Sequence, residues 1–223
     1  MNLQIALEAQ QMTDLLNKQM PKRWEGKQAI LELRQADFQW RQMEWIGWYF
    51  EFKARKIIIE NLGGSKGPKD DSTSFDYRGK NVWDLKAHIE NASSHPWIII
   101  NDKESVDLCM QSYGVMGMII AQGVAEYDDN KGTFKAWHDE LKGGCSDYEK
   151  DRVRRGAPSR RRKIAFRLRR IEALWLNSDQ VTKGLVEGWI DFFQKGMRNA
   201  NGYARRPKYE LNVDMLPADV KIL

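Results

Sequence analysis

Ser74 to His88 reads S-F-D-Y-R-G-K-N-V-W-D-L-K-A-H, a pattern that predicts two short strands joined by a tight polar turn at Arg78-Gly79-Lys80-Asn81. Gly79 and Asn81 tolerate the positive φ that hairpin turns use, and apolar or aromatic residues flank the turn on both sides. Side chains two apart on a strand face the same way, so Asp84 and Lys86 are expected to be neighbours. Pairing of the two arms then brings Asp76 beside them. Two carboxylates and one ammonium converging on a point make a seat for a hard divalent cation and an activated water.

Asp76 followed by Asp84-x-Lys86 at the end of a strand resembles the active-site pattern of the PD-(D/E)xK nuclease superfamily, the fold of most type II restriction endonucleases. The likeness is carried by the 15 residues quoted above and, more loosely, by the order of elements from residue 40 to 127. Phe75 stands where the family usually has proline. The resemblance implies an α/β fold, a restriction-endonuclease-like mixed central sheet flanked by helices, here with extra helices at both ends. It implies Mg²⁺ held by Asp76, Asp84 and the Leu85 carbonyl, with Lys86 positioning and polarising the attacking water. An acid on the preceding helix often completes such sites. Glu44 and Glu51 lie in that window, and Glu51, inside Trp48-Tyr49-Phe50-Glu51-Phe52, is the better candidate because apolar neighbours favour its burial. A simple helix-face pairing of Glu51 with Lys53 or Arg55 is the alternative.

The triplet by itself decides nothing, since acid-x-Lys recurs at Glu25, Glu51, Asp129, Glu140 and Asp219. What distinguishes Asp84-Leu85-Lys86 is its place on a strand-like run, the acid on a pairing arm, and the apolar run Trp97-Ile98-Ile99-Ile100 that follows. A solvated hairpin whose charges pair on the surface is the bland alternative.

The chain of 223 residues is 42% hydrophobic and 11% aromatic, enough for one substantial core. It is expected to form a single nuclease domain: an N-terminal helical region over 1–40, a catalytic core over 41–145, and a basic DNA-binding region with a C-terminal helix and strand over 146–223. Cys109, Cys145, His88, His95 and His138 show no metal-ligand spacing, so zinc is not expected. No basic start with an apolar core marks a signal peptide and no run approaches 18 apolar residues, which predicts an intracellular protein that crosses no membrane; the resemblance to restriction endonucleases implies the cytoplasm of a prokaryotic cell.

Leu3, Ala6, Leu7, Met12, Leu15 and Leu16 predict a packing helix over 3–18. A second helical pattern runs, with a break, from Trp24 to Asn61 and closes at Gly63-Gly64. Leu62 to Ser74 is a loop whose Lys66 and Lys69 are candidates for phosphate contact. His88, on the strand face of Lys86, is a further candidate for a phosphate or an activated water, although a locally hydrogen-bonded histidine is the commoner outcome. Trp97 to Asn101 suits a buried strand in the sheet, Ser105 caps a helix to Tyr113, Val115 to Tyr127 forms a central strand, and Thr133 caps a helix over Phe134 to Leu141. A helix from Ser178 to Lys195 carries Val181, Leu185, Trp189, Phe192 and Phe193, and a basic patch and a last strand end the chain.

From Lys150 to Arg170 there are 11 basic residues against one acid, Asp151. Ile164, Phe166 and Leu168 alternate with basic positions, the period of a strand with one charged face. Arg160, Arg161, Arg162, Lys163, Arg167 and Arg169 are therefore the candidates for gripping and reading double-stranded DNA. Taken together, the features predict a Mg²⁺-dependent type II restriction endonuclease, a homodimer because a symmetric duplex site needs two active sites. A repair or recombination nuclease of the same fold, or a non-catalytic DNA-binding regulator, are the alternatives.

Overall fold

The computed structural model describes residues 3–67, 69–70, 73–128, 132–157, 161–198 and 202–221. In chain order these form α1 (Leu3–Gln19), β1 (Arg23–Glu25), α2 (Gly26–Gln35), α3 (Trp45–Leu62), β2 (Lys69–Asp70), β3 (Thr73–Ser74), β4 (Tyr77–Arg78), β5 (Val82–Ile89), β6 (Trp97–Asp102) and α4 (Lys103–Tyr113). There follow β7 (Met116–Tyr127), α5 (Thr133–Leu141), α6 (Asp147–Arg154), β8 (Lys163–Leu176), α7 (Ser178–Glu187), β9 (Ile190–Phe193) and β10 (Lys208–Asn212).

The central sheet is mixed and ordered β1-β8-β7-β5-β4. β5 and β7 run parallel, with Asp84 opposite Met118 and Lys86 opposite Ile120; the other pairs are antiparallel. β7 is buried over its first eight residues, M-G-M-I-I-A-Q-G. Such a continuous run suits a strand covered on both faces. β8 spans its whole length, with register shifts at Gln122/Gly123 and Glu126/Tyr127.

Helices and a second sheet cover the two faces. On one side α1, α2 and α3 pack Ile5, Met12, Leu16, Ile30, Leu33, Phe50 and Ile58 against Trp83, Leu85, Ile119 and Phe166. On the other, a three-stranded sheet ordered β6-β10-β9, with α4 and α7, packs Ile98, Ile100, Val106, Trp189 and Leu211 against Val82, Met118, Ile120 and Leu174. Each fully buried aliphatic or aromatic side chain contributes roughly 1.5–3 kcal/mol. Two such cores can therefore offset several poorly solvated charges between them. Because Trp83 and Leu85 face the first core, the alternating Asp84, Lys86 and His88 face the second.

The hairpin forms as expected, with Tyr77 opposite Trp83 and Arg78 opposite Val82. Its turn, however, does not use positive φ at Gly79 or Asn81. Gly79 instead leaves room for a neighbour: a Cβ there would lie 2.0 Å from Glu8 Oε1, which the Lys80 amide holds in place.

Other elements depart from expectation. The buried face of α1 is Ile5, Glu8, Ala9, Met12, Thr13 and Leu16, while Leu3 and Leu7 are exposed. The second helical pattern opens instead as β1, an edge strand on β8, so the N-terminal region is woven into the central sheet. β6 lies in the smaller sheet and leaves Ile99 exposed. α4 starts at Lys103, two residues before Ser105, which is buried inside it. Residues 163–176 form one long strand of the central sheet, between β1 and β7. The helix from Ser178 stops at Glu187 because Gly188 takes the left-handed conformation; the aromatic stripe continues as β9, with Trp189 buried. Among the described residues no helix is long and apolar enough to cross a membrane.

Candidate active site

β5 and the residues just before β4 bring Asp76, Asp84 and Lys86 together. Lys86 Nζ lies 2.8 Å from Asp84 Oδ2, as two positions on one strand face allow. Asp76 arrives from outside the ladder. Its Oδ2 accepts the Leu85 amide N–H at 2.7 Å, and its own amide donates to the Trp83 carbonyl at 3.1 Å. Past the two residues of β4, then, the edge of β5 is met by a carboxylate rather than by a strand. The N–H and C=O of one strand residue point to the same side, so the Leu85 carbonyl lies on that edge too.

Glu51 joins from the second turn of α3. Its carboxylate accepts from Arg55 at 2.8 Å and lies near enough to Asp76 and Asp84 for the three to influence one another electrostatically. The helix-face pair with Arg55 forms, on the side of α3 that approaches the cluster. Glu44 caps α3 without a side-chain bond and is exposed.

The charges are poorly solvated. Asp84 is 1% exposed and Asp76 is 9% exposed. Burial pushes the Asp76 carboxyl well above its ordinary range, and the negative charges of Asp84 and Glu51 push it further. Burial likewise raises Glu51, against the opposing pull of Arg55. Burial works against the Lys86 ammonium, but Asp84 and Asp76 outweigh it and the net direction is upward. Carboxyl groups gathered this closely repel one another as anions, and Asp76 bears the largest share of that cost.

Hard carboxylate and carbonyl oxygens are the donors Mg²⁺ takes, and three acids gathered with little solvent mark a place where a cation would relieve repulsion. Among the described residues, however, no three His, Cys, Asp or Glu side chains form a group arranged to hold a metal ion. Lys86 stands on Asp84 Oδ2 and the Leu85 amide on Asp76 Oδ2. The donor chemistry fits a hard cation, while the arrangement is closed by the protein's own cations and N–H groups.

The candidates for DNA contact are scattered. Arg167 pairs with Glu126 at 3.0 Å and Arg169 with Glu90 at 2.8 Å. Arg161 donates to the Asp128 carbonyl at 2.7 Å and lies over the Tyr127 ring. Arg162 lines a cavity of about 640 Å³ with Arg41, His138 and Cys145, and its Nη1 is buried without a hydrogen-bond partner among the described residues. None of the acids of the cluster lines that cavity. Lys163 opens β8, where its carbonyl accepts the Trp45 indole N–H at 2.9 Å. Lys66 is exposed in a bend, Lys69 lies in β2, and Arg160 falls outside the described residues. His88, expected to reach a phosphate, is instead 3% exposed and shares a 2.9 Å hydrogen bond with His95. Burial and the neighbouring His95 both lower its pKa.

Two supporting residues were not anticipated. Asn101, at the end of β6, donates to Asp84 Oδ2 at 3.3 Å. Glu8 of α1 accepts from the Lys80 and Asn81 amides at 2.7 and 3.1 Å, from Asn81 Nδ2 at 2.7 Å, and from the Trp83 indole at 3.0 Å. The hairpin is thus clamped from a helix more than 70 residues upstream. A polar residue closing the apolar run Trp97–Ile100 is the single sequence trace of Asn101; Glu8 leaves none.

Compared with protein-family models, with curated proteins and with solved structures, the chain gives no match in any of the three. Any functional reading therefore stands on geometry and chemistry alone.

Proposed function

We propose that this chain hydrolyses phosphodiester bonds of double-stranded DNA with Mg²⁺, as a type II restriction endonuclease acting as a homodimer. The supporting observation is the convergence of Asp76, Asp84, Glu51 and Lys86 on one edge of β5. Buried like charges of this kind cost stability and persist where chemistry uses them. They sit at a sheet margin rather than inside a cavity, which suits a polymer that must lie across the protein.

Asp76, Asp84 and the Leu85 carbonyl would hold the cation, with Glu51 as a further carboxylate of the same cluster. Bound there, Mg²⁺ supplies Lewis acidity toward the phosphate and a lower pKa for a nearby water. Lys86 would release Asp84 Oδ2 to donate to the attacking water oxygen, and its fixed positive charge would offset the charge that grows on the phosphoryl oxygens. Asn101 would keep Asp84 oriented when the ammonium turns away. Since both strands of a symmetric site must be cut, two copies related by a twofold axis would each present one such edge.

The 2.8 Å Asp84–Lys86 pair also supports a second reading, in which the pair is complete in itself and the chain is a non-catalytic DNA-binding regulator. Digestion of supercoiled plasmid with Mg²⁺ separates the two, with Lys86→Ala and Asp84→Asn as controls. Discrete fragments lost in both variants are the expected result, and run-off sequencing then gives site and stagger. A smear points to a repair or recombination nuclease. Absence of cutting by the wild-type protein, with salt-dependent binding intact, removes the enzymatic reading.

A further inference from the structure

The cavity of about 640 Å³ beside Arg162 takes no part in the chemistry assigned to β5, since Glu51, Asp76, Asp84 and Lys86 all lie outside its lining. Three segments enclose it: residues 41–44 before α3, the end of α5 with the start of α6, and Arg162 just ahead of β8. They are tied to one another by the protein's own hydrogen bonds. His138 of α5 donates through Nε2 to the Trp40 carbonyl at 2.9 Å, Arg41 Nη1 donates to the Lys142 carbonyl at 3.3 Å, and the Trp45 indole N–H meets the Lys163 carbonyl at 2.9 Å. Walls held in this way need little ordering when a ligand enters. The volume falls in the range of small-molecule sites, roughly 300–1,000 Å³.

The charges on the lining are unevenly answered. Asp139 pairs with Lys142 at 2.7 Å and with Lys135 at 2.5 Å, and Glu149 lies 3.5 Å from Lys135, so two acids and two lysines balance. Arg41 and Arg162 form no ion pair among the described residues. Arg41 is exposed, with its guanidinium 4.6 Å from the centre of the Trp40 ring, and Arg162 Nη1 is buried with no hydrogen-bond partner among the described residues. Against these two guanidinium groups stands one further acid on the lining, the exposed Glu44. A guanidinium nitrogen taken out of water without an acceptor costs stability. Because the charge is spread over the whole planar group, an anion at the cavity wall would offset that cost without touching Nη1 itself.

We propose that this cavity binds a terminal phosphate, the monoester carried by a mononucleotide-sized molecule or by a 5′ end of DNA, with Arg162 and Arg41 as its principal cations. The inference does not rest on the nuclease reading. Two guanidinium groups on separate walls suit a phosphate better than a carboxylate, because a monoester offers three acceptor oxygens in different directions and close to two charges, where a carboxylate offers two oxygens in one plane. A cavity also admits an end more readily than the middle of a polymer. Among the described residues His138 is the one ring on the lining, so a base would gain little stacking and the phosphate carries the recognition.

The test is isothermal titration of the full chain with inorganic phosphate and with deoxyadenosine monophosphate, deoxyadenosine serving as the uncharged control. Both phosphates are expected to bind and deoxyadenosine is not. Arg162→Gln and Arg41→Gln are each expected to weaken the monophosphate about 10–100-fold, the range of a hydrogen bond to a charged group; the exposed Arg41 keeps the test open should Arg162→Gln fail to fold. Proton NMR of the three histidines locates the ligand. Burial, helped by Lys142 and Arg162, holds His138 below the ordinary histidine range against the Trp40 carbonyl and Asp139, so bound phosphate is expected to raise the His138 titration and leave His88 and His95 unmoved. A short duplex with a 5′ phosphate, compared with its 5′-hydroxyl form, separates the sources: arginine-dependent binding tighter than that of the monophosphate assigns the site to a DNA end, and weaker binding assigns it to a free molecule, the phosphate site standing in both cases. No binding of either phosphate, deoxyadenosine binding as tightly as its monophosphate, full affinity in both arginine variants, or an unmoved His138 overturns it. Plasmid cleavage enters none of these readouts, so the nuclease reading and the phosphate site stand or fall separately.

Discussion

The Asp76 carboxylate accepts the Leu85 backbone N–H at 2.7 Å, which fastens an acid lying before the hairpin to the middle of the hairpin's second strand. A side chain here takes the place of a neighbouring strand. The Leu85 donor on that sheet edge is thereby met by an acid instead of a neighbouring strand.

That arrangement carries a stability cost with a definite pH dependence. Burial and neighbouring charge raise Asp76 and Glu51 in the folded state, so the folded protein binds protons that the unfolded chain has released. The stability they contribute is full below the ordinary carboxylate range and is lost as pH rises through the folded values. Asp76→Asn removes the larger of these penalties while keeping an acceptor for Leu85. Its melting temperature at pH 8 is expected to rise by about 2–4 °C, the effect of roughly 1 kcal/mol in a chain this long, while DNA cleavage disappears. Scanning calorimetry at pH 5 and pH 8 checks this, the gain being smaller at pH 5.

Glu8 holds the hairpin through four donors. Glu8→Ala leaves two backbone amides, an indole and an amide side chain without their acceptor, in a region where Glu8 itself is 8% exposed. Each orphaned buried donor costs about 1–3 kcal/mol; water entering the space of the lost side chain would recover part of this. A loss of about 3 kcal/mol in urea unfolding is expected, with Glu8→Gln intermediate because its amide offers only one acceptor oxygen. A loss below about 1 kcal/mol would show that the turn holds itself.

The hairpin and its charges could be read from sequence because a period of two fixes which side chains share a face, and Asp84 and Lys86 need nothing else to meet. β7 was equally plain, since an unbroken apolar run suits a strand covered twice. Residues 178–193 misled because Val181, Leu185, Trp189 and Phe192 satisfy a helical period, while Gly188 alone marks the break into β9. The pairing of β8 arginines with Glu126, Glu90 and Glu172 depends on register between distant strands, which local pattern does not encode. Glu8 and Asn101 reach the site only through tertiary packing, so no spacing announces them.

His88 offers a second pH signature, of opposite sign. Its burial and the adjacent His95 lower its pKa, so the folded state favours the neutral ring, and stability is lost as pH falls through the unfolded value of about 6.5. The groups facing it are His95, Glu90, Asp214 and Arg170; burial and the positive neighbours outweigh the two acids. His88→Gln is expected to flatten the fall in melting temperature between pH 7.5 and 5.5. The part due to His138, also lowered by burial, should remain. An unchanged pH profile would mean that His88 titrates as freely in the folded protein as in the unfolded chain.

Gly117 of β7 lies opposite Trp83, and a Cβ built on it would sit 2.2 Å from the indole ring. Trp83 is fully buried and its indole N–H is tied to Glu8, so the ring has no direction in which to yield. It also immediately precedes Asp84. Gly117→Ala should therefore cost about 2–3 kcal/mol, within the range for overpacked cores, and should loosen Asp84 against Lys86. Gly123→Ala separates the two effects: it meets the Arg167 carbonyl at 2.2 Å, also against unyielding atoms, but six residues further along β7. Equal stability losses with cleavage reduced far more in Gly117→Ala than in Gly123→Ala are the expected outcome of paired denaturation and plasmid-cleavage assays. Parallel losses of cleavage in both would mean that activity follows global stability rather than the seating of Trp83 beneath the acids.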